Sequence, residues 1–298
     1  MSTKKLLILS IVLSLFVLLG IAVYHYSRFY DGRFHIVFCD VGQGDAIFLR
    51  TPKGMGILVD GGPDDSVLPC LAGHMPFWDR DLELVILTHP HADHLGGLID
   101  TVSRYKIKNF ATVDLRNDTG AFRALIDQLK KQNIKIRYLY AGDRFVFKDG
   151  VSLDIVGPSR GFLELTSPTG TIGEKSEFAN IESLFKYKDF SILLTGDSQA
   201  VELDEAIESG RITKVDVLQV PHHGSKTGLN SDILDVLSPE LAVVSVGKNN
   251  KYGHPTEFIL KILRDKPALP AGKDIMILRT DENGETEIIT DGGKWGVR

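Results

Sequence analysis

Apolar and polar residues alternate in blocks along most of the chain, and these blocks predict strands and helices. Short apolar runs bounded by turn residues are typical of strands. Such runs occur at HIVFCD, AIFL, GILVD, LVILT, NFATVD, IRYLY and SLDIV, and again at SLFKY, SILLTGD, VDVLQV, LAVVSV, DIMILRT and TEIIT. Helices are predicted after Leu95, at 121–131, at 200–209, near 231–237 and after Pro255, which we expect to open its helix at the first turn. Because several strands are apolar throughout, the pattern predicts a layered α/β domain whose sheets are covered on both faces, with two sheets between helical layers as one arrangement.

The N-terminal segment has a different pattern, because residues 6–23 carry no charge. A helix of this length, at ~1.5 Å per residue, nearly crosses the core of a bilayer. Lys4 and Lys5 precede the segment, and four aromatic residues follow it: Tyr24, Tyr26, Phe29 and Tyr30. The basic flank and the aromatic belt predict a membrane anchor, with the following domain outside the cytoplasm. A cleaved signal peptide followed by secretion is the alternative, because Gly20-Ile21-Ala22 is a tolerable cleavage site.

The sequence pattern therefore predicts two parts: an anchor or signal segment, residues 1–30, and one folded domain, residues 31–298. No linker rich in Pro, Gly and Ser interrupts the second part. The polar stretch 158–178 is interpreted as a loop near a functional site, because strands of the same style continue on both sides.

Composition limits the classes of function. The 298 residues include 34 Lys and Arg against 39 Asp and Glu, a net charge of −5, and 43% are hydrophobic. These values exclude a disordered, collagen-like or coiled-coil protein. The chain also lacks the excess of basic residues found in proteins that bind nucleic acid through many phosphates. Any phosphate contact is therefore expected to be local. Cys39 and Cys70 are interpreted as small buried apolar residues, and a disulfide between them is the alternative.

The candidate chemistry directly follows the strand LVILT, in the segment HPHADH at 89–94. Three His and one Asp within six residues cannot be explained by packing, because burial would leave polar groups unpaired. Metal ions resolve this conflict. His89 and His91 are two residues apart on an extended backbone and can face one ion, whereas Asp93 and His94 begin the next turn and can serve a second.

Two later strands offer further ligands at their ends. Asp197 follows SILLT, and the pair His222-His223 follows VDVLQVP. A carboxylate such as Asp197 can bridge two cations and offset their mutual repulsion. Imidazole and carboxylate ligands without thiolate suit two divalent ions, with zinc expected and manganese or iron as alternatives.

The motifs HPHADHLGG, LLTGD and PHHGS resemble those of the metallo-β-lactamase-fold hydrolases. The segments DVGQGDAIFLRTPKGMGILVDGG, NIESLF and YGHP narrow the resemblance to the C-terminal domain of the ComEC/Rec2 competence proteins. The resemblance covers roughly residues 34–289. It implies an αβ/βα sandwich with a two-metal site at one edge, and a hydrolytic activity that in the competence proteins is thought to act on DNA.

The resemblance also implies metal ligands on both sides of one shared carboxylate. One ion is implied on His89, His91 and Asp197, and the other on Asp93, His94, Asp197 and His223. His222 is then left to face the substrate. Asp60, which follows the strand GILV, is implied to orient the His loop from behind the ligands; an ordinary turn Asp is the alternative.

One departure from the β-lactamases and glyoxalases is informative. Those enzymes have an additional His between the HxHxDH motif and the bridging Asp, but this chain has no His from 95 to 221. Asn180 and Ser183 stand in the corresponding region, and both are candidates for substrate binding. One metal is therefore expected to have a poorer protein shell and an open position, which hydrolysis requires.

The predicted activity is two-metal hydrolysis, in which the ions lower the pKa of a water molecule and polarise the substrate. Asp197, His222 and His254 are the candidate catalytic residues, and Ser225 and Lys226 are candidates for binding developing negative charge. For His254 the alternative is a cap on the following helix, and for Ser225 and Lys226 an ordinary turn.

The expected substrate is a phosphoester or a nucleic-acid-type molecule, since the ComEC-like motifs and the missing His favour it. Two other functions stay open. One is an acyl hydrolase acting on a lactam, lactone or thioester, and the other is a non-catalytic extracytoplasmic binding module. The membrane is the expected partner through the N-terminal helix, and the sequence gives no indication of a protein partner.

Overall fold

The computed structural model describes residues 2–172, 179–268 and 273–298. The helices are α1 (Thr3–Phe29), α2 (Val67–His74), α3 (Ala92–Arg104), α4 (Gly120–Lys131), α5 (Arg160–Thr166), α6 (Ala200–Glu208), α7 (Ser231–Leu237), α8 (Glu257–Asp265) and α9 (Thr280–Asn283), with a 3₁₀ turn at Pro221–Gly224. The strands of the first half are β1 (Phe34–Phe38), β2 (Ile47–Arg50), β3 (Gly56–Val59), β4 (Asp81–Leu87), β5 (Lys106–Ile107), β6 (Phe110–Thr112), β7 (Ile136–Tyr138), β8 (Arg144–Val146) and β9 (Val151–Gly157). Those of the second half are β10 (Glu182–Tyr187), β11 (Phe190–Leu194), β12 (Val217–Gln219), β13 (Leu241–Val244), β14 (Pro267–Ala268), β15 (Lys273–Asp274), β16 (Met276–Arg279), β17 (Thr286–Thr290) and β18 (Trp295–Val297).

The described strands form two large mixed sheets and one short ribbon. The first sheet has the order β18-β17-β1-β2-β3-β4-β6-β7, with β5 beside β4, and the second has the order β16-β13-β12-β11-β10-β9-β8. Strands β14 and β15 form the ribbon. In the first sheet β3, β4, β6 and β7 are parallel, and in the second β11, β12, β13 and β16 are parallel. Each sheet therefore has one edge at which carboxyl ends of strands gather.

Strand β4 shows how the apolar runs build the layers. Successive side chains of a strand point to opposite faces. Leu84 and Ile86 lie in the core between the two sheets, whereas Val85 and Leu87 lie in the core between the first sheet and its helices. A strand buried on both faces needs apolar residues at nearly every position, which is why the run is continuous rather than alternating.

Helices cover the outer faces of both sheets. Helices α2, α3 and α4 contribute to the core on the first sheet, and α6, α7 and α8 contribute to the core on the second. In α3, buried Leu95, Leu98 and Val102 recur at helical spacing. The order of layers is helix, sheet, sheet, helix, so the predicted αβ/βα sandwich is confirmed.

Two sequence-based boundaries need correction. The stretch 158–178 was expected to be a loop, but it contains helix α5, whose first turn is capped by Ser159 Oγ accepting from the backbone N of Phe162 at 3.1 Å. Residues 173–178 of this stretch lie outside the described residues. Helix α8 begins at Glu257 with Thr256 at its N-cap, so Pro255 precedes the helix instead of opening its first turn.

The interpretation of the two cysteines is also wrong. Cys39, which follows β1, and Cys70, in α2, are joined by a disulfide, and their Cα atoms lie 5.9 Å apart across a sequence separation of 31 residues. Both side chains are buried under the helical layer of the first sheet. Their proximity depends on how α2 packs against β1, and nothing in the spacing of the cysteines reveals that packing.

Helix α1 precedes the sandwich and is long and apolar enough to cross a membrane by length and composition. Its C-terminal end contacts the domain. Arg28 donates a hydrogen bond to the carbonyl of Gly73 at 3.2 Å, and the buried ring of Phe29 lies against the guanidinium groups of Arg28 and Arg50 at 5.3 and 5.4 Å.

Candidate metal centre

The predicted ligands converge where parallel strands of the two sheets end. The His loop follows β4, Asp60 follows β3, Asp197 follows β11, and the turn with His222 and His223 follows β12. Strand ends are the usual place for such residues, because the rigid sheet fixes the start of each loop.

Four residues form what we call the inner site: Asp93, His94, Asp197 and His223. The Nε2 atoms of His94 and His223 each lie 3.3 Å from Asp197 Oδ1, and His223 Nε2 lies 3.6 Å from Asp93 Oδ2. His94, Asp197 and His223 are buried, whereas Asp93 is partly exposed.

Three residues form the outer site: His89, His91 and Asp197. His89 Nε2 lies 3.8 Å from Asp197 Oδ2 and 2.9 Å from His91 Nδ1. Asp197 therefore presents Oδ1 to the inner site and Oδ2 to the outer site. This is the arrangement that a carboxylate shared by two cations requires.

Two features of the inner site fit a metal ion: buried polar atoms without hydrogen-bond partners, and the distances between the ligand atoms. His94 Nε2, His223 Nε2 and Asp197 Oδ1 are buried and have no hydrogen-bond partner among the described residues. Unpaired buried polar atoms are costly, so several converging on one point need an explanation. Ligands bound at ~2.0–2.1 Å around a tetrahedral ion lie ~3.3–3.4 Å apart, which matches the 3.3 Å separations in this site.

The second ring nitrogen of each inner His has a partner. His94 Nδ1 lies 2.7 Å from Asp60 Oδ2, and His223 Nδ1 lies 2.9 Å from the carbonyl oxygen of Ser245. We assign the ring proton to Nδ1 in both, since each partner accepts a hydrogen bond. That tautomer leaves the Nε2 lone pair facing the site, as a metal ligand needs.

Asp60 is tied to both the His loop and the inner site. Its Oδ1 accepts from the backbone N of Thr88 and its Oδ2 from the hydroxyl of Thr88, both at 2.7 Å. Its φ is 59°, a conformation that costs energy for a residue other than glycine. The contacts to Thr88 and His94 hold Asp60 in this conformation, directly behind the ligands.

Sequence reasoning missed Asp45. This buried carboxylate accepts a hydrogen bond from Gln219 Nε2 at 2.8 Å. Its oxygens also lie 3.8 Å from His94 Nδ1 and from His223 Nδ1, so it stands behind both rings of the inner site. Its place within the segment DVGQGD was the only signal that could have pointed to it.

Electrostatics keep the shared carboxylate charged. Burial by itself raises the pKa of Asp197, but His223 and His94 hold that pKa well below its usual range. Burial lowers the pKa of His89 well below normal, and the charge of His94 adds to this, so His89 is neutral. Burial also lowers the pKa of His223, but Asp197 and Asp45 outweigh burial and raise it to about 9. A metal ion therefore competes with a proton for His223.

Residues 39–248 match the family model of the metallo-beta-lactamase superfamily. The chain belongs to this superfamily. It is 28% identical over 265 residues to ComE operon protein 3 of Bacillus subtilis, covering 82% of this chain and 31% of the relative. It is also 28% identical over 233 residues to Recombination protein 2 of Haemophilus influenzae, covering 75% of this chain and 26% of the relative. The chain thus spans about a third or less of these curated relatives, and the predicted family resemblance is confirmed.

Solved structures agree with this fold assignment. The structure of Igni18, a metallo hydrolase from Ignicoccus hospitalis, has a TM-score of 0.51 at 14% identity, covering 89% of this chain and 98% of that chain. CmlA, a diiron β-hydroxylase from Streptomyces venezuelae, has a TM-score of 0.53 at 15% identity, covering 85% of this chain and 53% of that chain. At these identities the likeness concerns the fold.

In this superfamily member, a buried glutamate holds the segment that carries the shared carboxylate. Glu202 accepts hydrogen bonds from the backbone N of Asn180 at 2.9 Å and of Gln199 at 2.8 Å. Asn180 Oδ1 in turn accepts from the backbone N of Asp197 at 3.2 Å. Asn180, which was expected to bind substrate, is placed here to position the backbone of Asp197. Glu202 was not anticipated from the sequence, because a Glu near a helix start is normally an exposed capping residue.

His222 and His254 lie on the open side of the outer site. His222 Nε2 is 3.7 Å from Asp197 Oδ2, and its Nδ1 is 3.2 Å from Gln199 Nε2. The rings of His222 and His254 lie 5.8 Å apart. Asn250 holds the backbone of His254 on both sides, accepting from its N at 3.1 Å and donating to its O at 2.6 Å. His254 does not cap α8, whose N-cap residue is Thr256.

The remaining candidates differ in position. Ser225 is buried, its Oγ lies 3.1 Å from Thr227 Oγ1, and its backbone N donates to the carbonyl of His222 at 2.8 Å. Lys226 is exposed in the turn that follows. Ser183 is fully buried in β10, and its Oγ has no partner within the described parts of the chain. Among the described contacts, none joins Ser183 or Lys226 to the residues of the inner and outer sites.

Proposed function

We propose that this protein is a hydrolase with two divalent metal ions, acting on phosphoesters, including nucleic-acid-type substrates. The observation that carries the proposal is the position of Asp197, which turns one oxygen toward three ligands of the inner site and the other toward two His of the outer site. A centre of this shape is suited to activating water between two cations.

The proposed ligands are those of the inner and outer sites, with zinc expected and manganese or iron as alternatives. The bound ions would lower the pKa of a water molecule and polarise the bond to be broken. Asp60 and the carbonyl oxygen of Ser245 hold the inner His rings. Asn180 and Glu202 hold the backbone around Asp197.

Proton transfer at the leaving group is assigned to His222 and His254. Both lie beside the outer site. Neither is assigned as a metal ligand, so both side chains are available to contact a substrate. Burial lowers the pKa of His254, and His222 adds to this. A neutral imidazole at pH 7 would accept the proton that the attacking water releases and, as imidazolium, would deliver it to the leaving oxygen. Ser225 and Lys226 stay candidates for substrate contact because they directly follow the two His, and the role of Ser183 rests only on its place in the sequence.

The outer site supports a phosphoester over an acyl substrate. Its protein ligands are two His and the shared Asp197, without the additional His of β-lactamases and glyoxalases, so it leaves room for an anionic oxygen. The relatives named for competence and recombination support a nucleic-acid-type substrate. The acyl hydrolase and the non-catalytic binding module are the alternatives.

The location we propose is a membrane-anchored domain on the extracytoplasmic side, with residues 1–30 as the anchor or signal segment and residues 31–298 as the hydrolase domain. Lys4 and Lys5 precede the apolar stretch of α1, as the positive-inside rule expects for an N-terminus in the cytoplasm. The disulfide between Cys39 and Cys70 supports the same side, because disulfides persist in oxidising compartments.

The proposal is tested with the full chain purified in detergent without chelators. Elemental analysis should find close to two transition-metal ions per chain. Nitrophenyl phosphate mono- and diesters, single-stranded and duplex DNA, and nitrocefin are then compared as substrates, with Asp197→Ala purified in parallel.

Each outcome decides between the functions. Ester or DNA hydrolysis that a chelator and Asp197→Ala both abolish is the expected result. Turnover of nitrocefin alone would establish the acyl hydrolase instead. Two bound metals without turnover of any substrate would favour the binding module, and trace metal only would contradict the centre itself.

A further inference from the structure

A turn on the domain surface presents two large aromatic side chains to solvent. We call residues 76–79 the aromatic turn. The backbone N of Asp79 donates to the carbonyl of Pro76 at 2.9 Å and closes the turn. Phe77 and Trp78, between them, are 75% and 50% exposed, and their rings lie 4.8 Å apart. The two adjacent rings form an exposed apolar patch, and such patches mark sites of interaction with proteins or membranes.

The aromatic turn lies beside the end of the apolar segment of α1. The rings of Phe77 and Trp78 are 6.1 and 6.3 Å from the ring of His25. His25 is two residues beyond Val23, the last residue of the uncharged stretch, or ~3 Å further along the helix axis. Tyr24 and Tyr26 are exposed at the same level of the helix. Four exposed aromatic side chains therefore surround the place where α1 would leave a bilayer.

The end of α1 is attached to the domain, so the position of the turn relative to the helix is defined. Arg28 bonds to Gly73, and Phe29 is buried against Arg50. At Gly54, in the turn between β2 and β3, a Cβ atom would come within 2.6 Å of the ring of Tyr30, so only glycine allows this approach. The turn between β2 and β3 and the aromatic turn thus both lie at the end of the domain that α1 contacts.

We propose that the aromatic turn is a second membrane contact, in which Phe77 and Trp78 enter the interfacial region of the bilayer that α1 crosses. The partner that we propose for the aromatic turn is the phospholipid surface. Its two rings extend the aromatic belt at the end of α1, and Trp is enriched at the membrane interface. This inference rests on the proposed membrane anchor. It does not depend on the hydrolytic activity.

The contact has a consequence for the metal centre. Strand β4 begins at Asp81, two residues after the aromatic turn, and ends at Leu87, two residues before His89. Six steps of a strand cover ~20 Å. The bilayer and the metal centre therefore lie at opposite ends of β4. A substrate would reach the centre from the aqueous side, which favours a soluble or polymeric molecule over a bilayer lipid.

The test uses Trp fluorescence of the full chain in phosphatidylcholine vesicles. The chain has two Trp residues, so Trp295→Phe leaves Trp78 as the only emitter. We expect its emission to shift to shorter wavelength in vesicles and to lose most of its intensity when the lipids are brominated near the headgroup. The matched control carries Tyr252→Trp with Trp78→Phe and Trp295→Phe. Tyr252 is 57% exposed and stacks on His254 at the metal centre, so this reporter should be quenched by aqueous acrylamide and not by brominated lipid.

Three outcomes would overturn the inference. Trp78 that is insensitive to brominated lipid in a chain that floats with the vesicles would show that the turn does not touch the bilayer. Trp78 shielded from both lipid and acrylamide would show that a second copy covers it. A chain that does not float with vesicles would contradict both the proposed membrane anchor and the proposed second contact. Metal content measured on the same samples keeps these results separate from the hydrolase proposal.

Discussion

The inner and outer sites share Asp197 but differ in how the protein holds their other ligands. In the inner site, Asp60 and Ser245 bind the rear nitrogens of His94 and His223, and the buried carboxylate of Asp45 lies behind both rings. In the outer site, His91 is partly exposed, and its Nδ1 faces His89 Nε2 at 2.9 Å. The two inner His rings are fixed before any ion arrives. The outer site has fewer ligands: His89 is buried, with its Nδ1 3.1 Å from Thr88 Oγ1, and His91 is the partly exposed one.

We infer from this difference that the two sites have different roles, one in holding a metal ion and the other in binding water and substrate. A ligand whose second nitrogen is fixed loses little freedom on binding metal, so the inner site is suited to holding its ion tightly. An ion with a poorer shell keeps positions for water and substrate. Substitutions of Asp197, His222, His223 and Asp60 test this comparison, and Asp197 serves both sites.

Asp197→Ala should remove nearly all hydrolysis and lower the metal content well below that of the wild type. One carboxylate faces both sites, and its loss leaves the remaining ligands without the charge that offsets the repulsion between two cations. Elemental analysis and ester hydrolysis measure both effects. Asp189→Ala, an exposed Asp at the turn between β10 and β11, is the matched control and should behave like the wild type. A metal content unchanged by Asp197→Ala would disprove the bridging role.

His222→Ala should leave the metal content nearly intact while reducing turnover by about 10²–10⁴-fold, the usual contribution of a general acid or base. The neighbouring change His223→Ala should instead empty the inner site, because His223 Nε2 lies 3.3 Å from Asp197 Oδ1. Metal content and kcat are measured for both variants. If His222→Ala empties a site and His223→Ala does not, the roles of the adjacent pair are reversed.

Asp60→Ala should weaken metal binding at the inner site by about 10–100-fold, the usual effect of removing the partner of a ligating His. The change frees His94 Nδ1 and releases Thr88, which links Asp60 to the start of the His loop. Competition with a chromophoric chelator measures the affinity of each ion. Asp64→Ala, an exposed carboxylate four residues later, provides the comparison. Equal affinities for wild type and Asp60→Ala would mean that the inner site is not pre-set by Asp60.

Residues at strand ends were the predictable part of the fold and the centre. Continuous apolar runs identified β4 and β11, and polar residues directly after such runs have few explanations besides a functional site. The layered architecture followed from the same runs, since strands buried on both faces require helices outside the sheets.

The unpredicted features depend on contacts between segments distant in sequence. Asp45 lies in a Gly-rich segment that reads as an ordinary turn, and it reaches the centre only because the two sheets face each other there. Cys39 and Cys70 meet only when α2 packs on the first sheet. Glu202 has the pattern of an exposed helix residue, yet it is buried and accepts hydrogen bonds from Asn180 and Gln199. Hydrophobic periodicity carries no information on such pairs.

Glu182 provides the smallest expected effect, because it is a buried carboxylate that belongs to neither the inner nor the outer site. It lies fully buried at the start of β10, neither oxygen has a hydrogen-bond partner among the described residues, and burial raises its pKa to about 8. The native chain therefore holds this proton more tightly than the unfolded chain, whose Glu pKa is about 4.5. Between these two values the native state binds more protons than the unfolded state, so the stability falls as the pH rises.

Glu182→Gln should remove this penalty, since glutamine does not titrate. We expect the free energy of unfolding of the variant, relative to the wild type, to increase between pH 5 and pH 8 by up to about 1.4 kcal/mol per pH unit. Burial raises the pKa of Glu202 and the charge of Glu182 adds to it, so the difference between the two chains also includes the change in the titration of Glu202. Denaturant unfolding at pH 5, 6.5 and 8 measures it, with Glu208→Gln on the exposed side of α6 as the control. A difference that does not vary with pH would mean that Glu182 is not protonated in the folded protein, and that another group near β10 neutralises its charge.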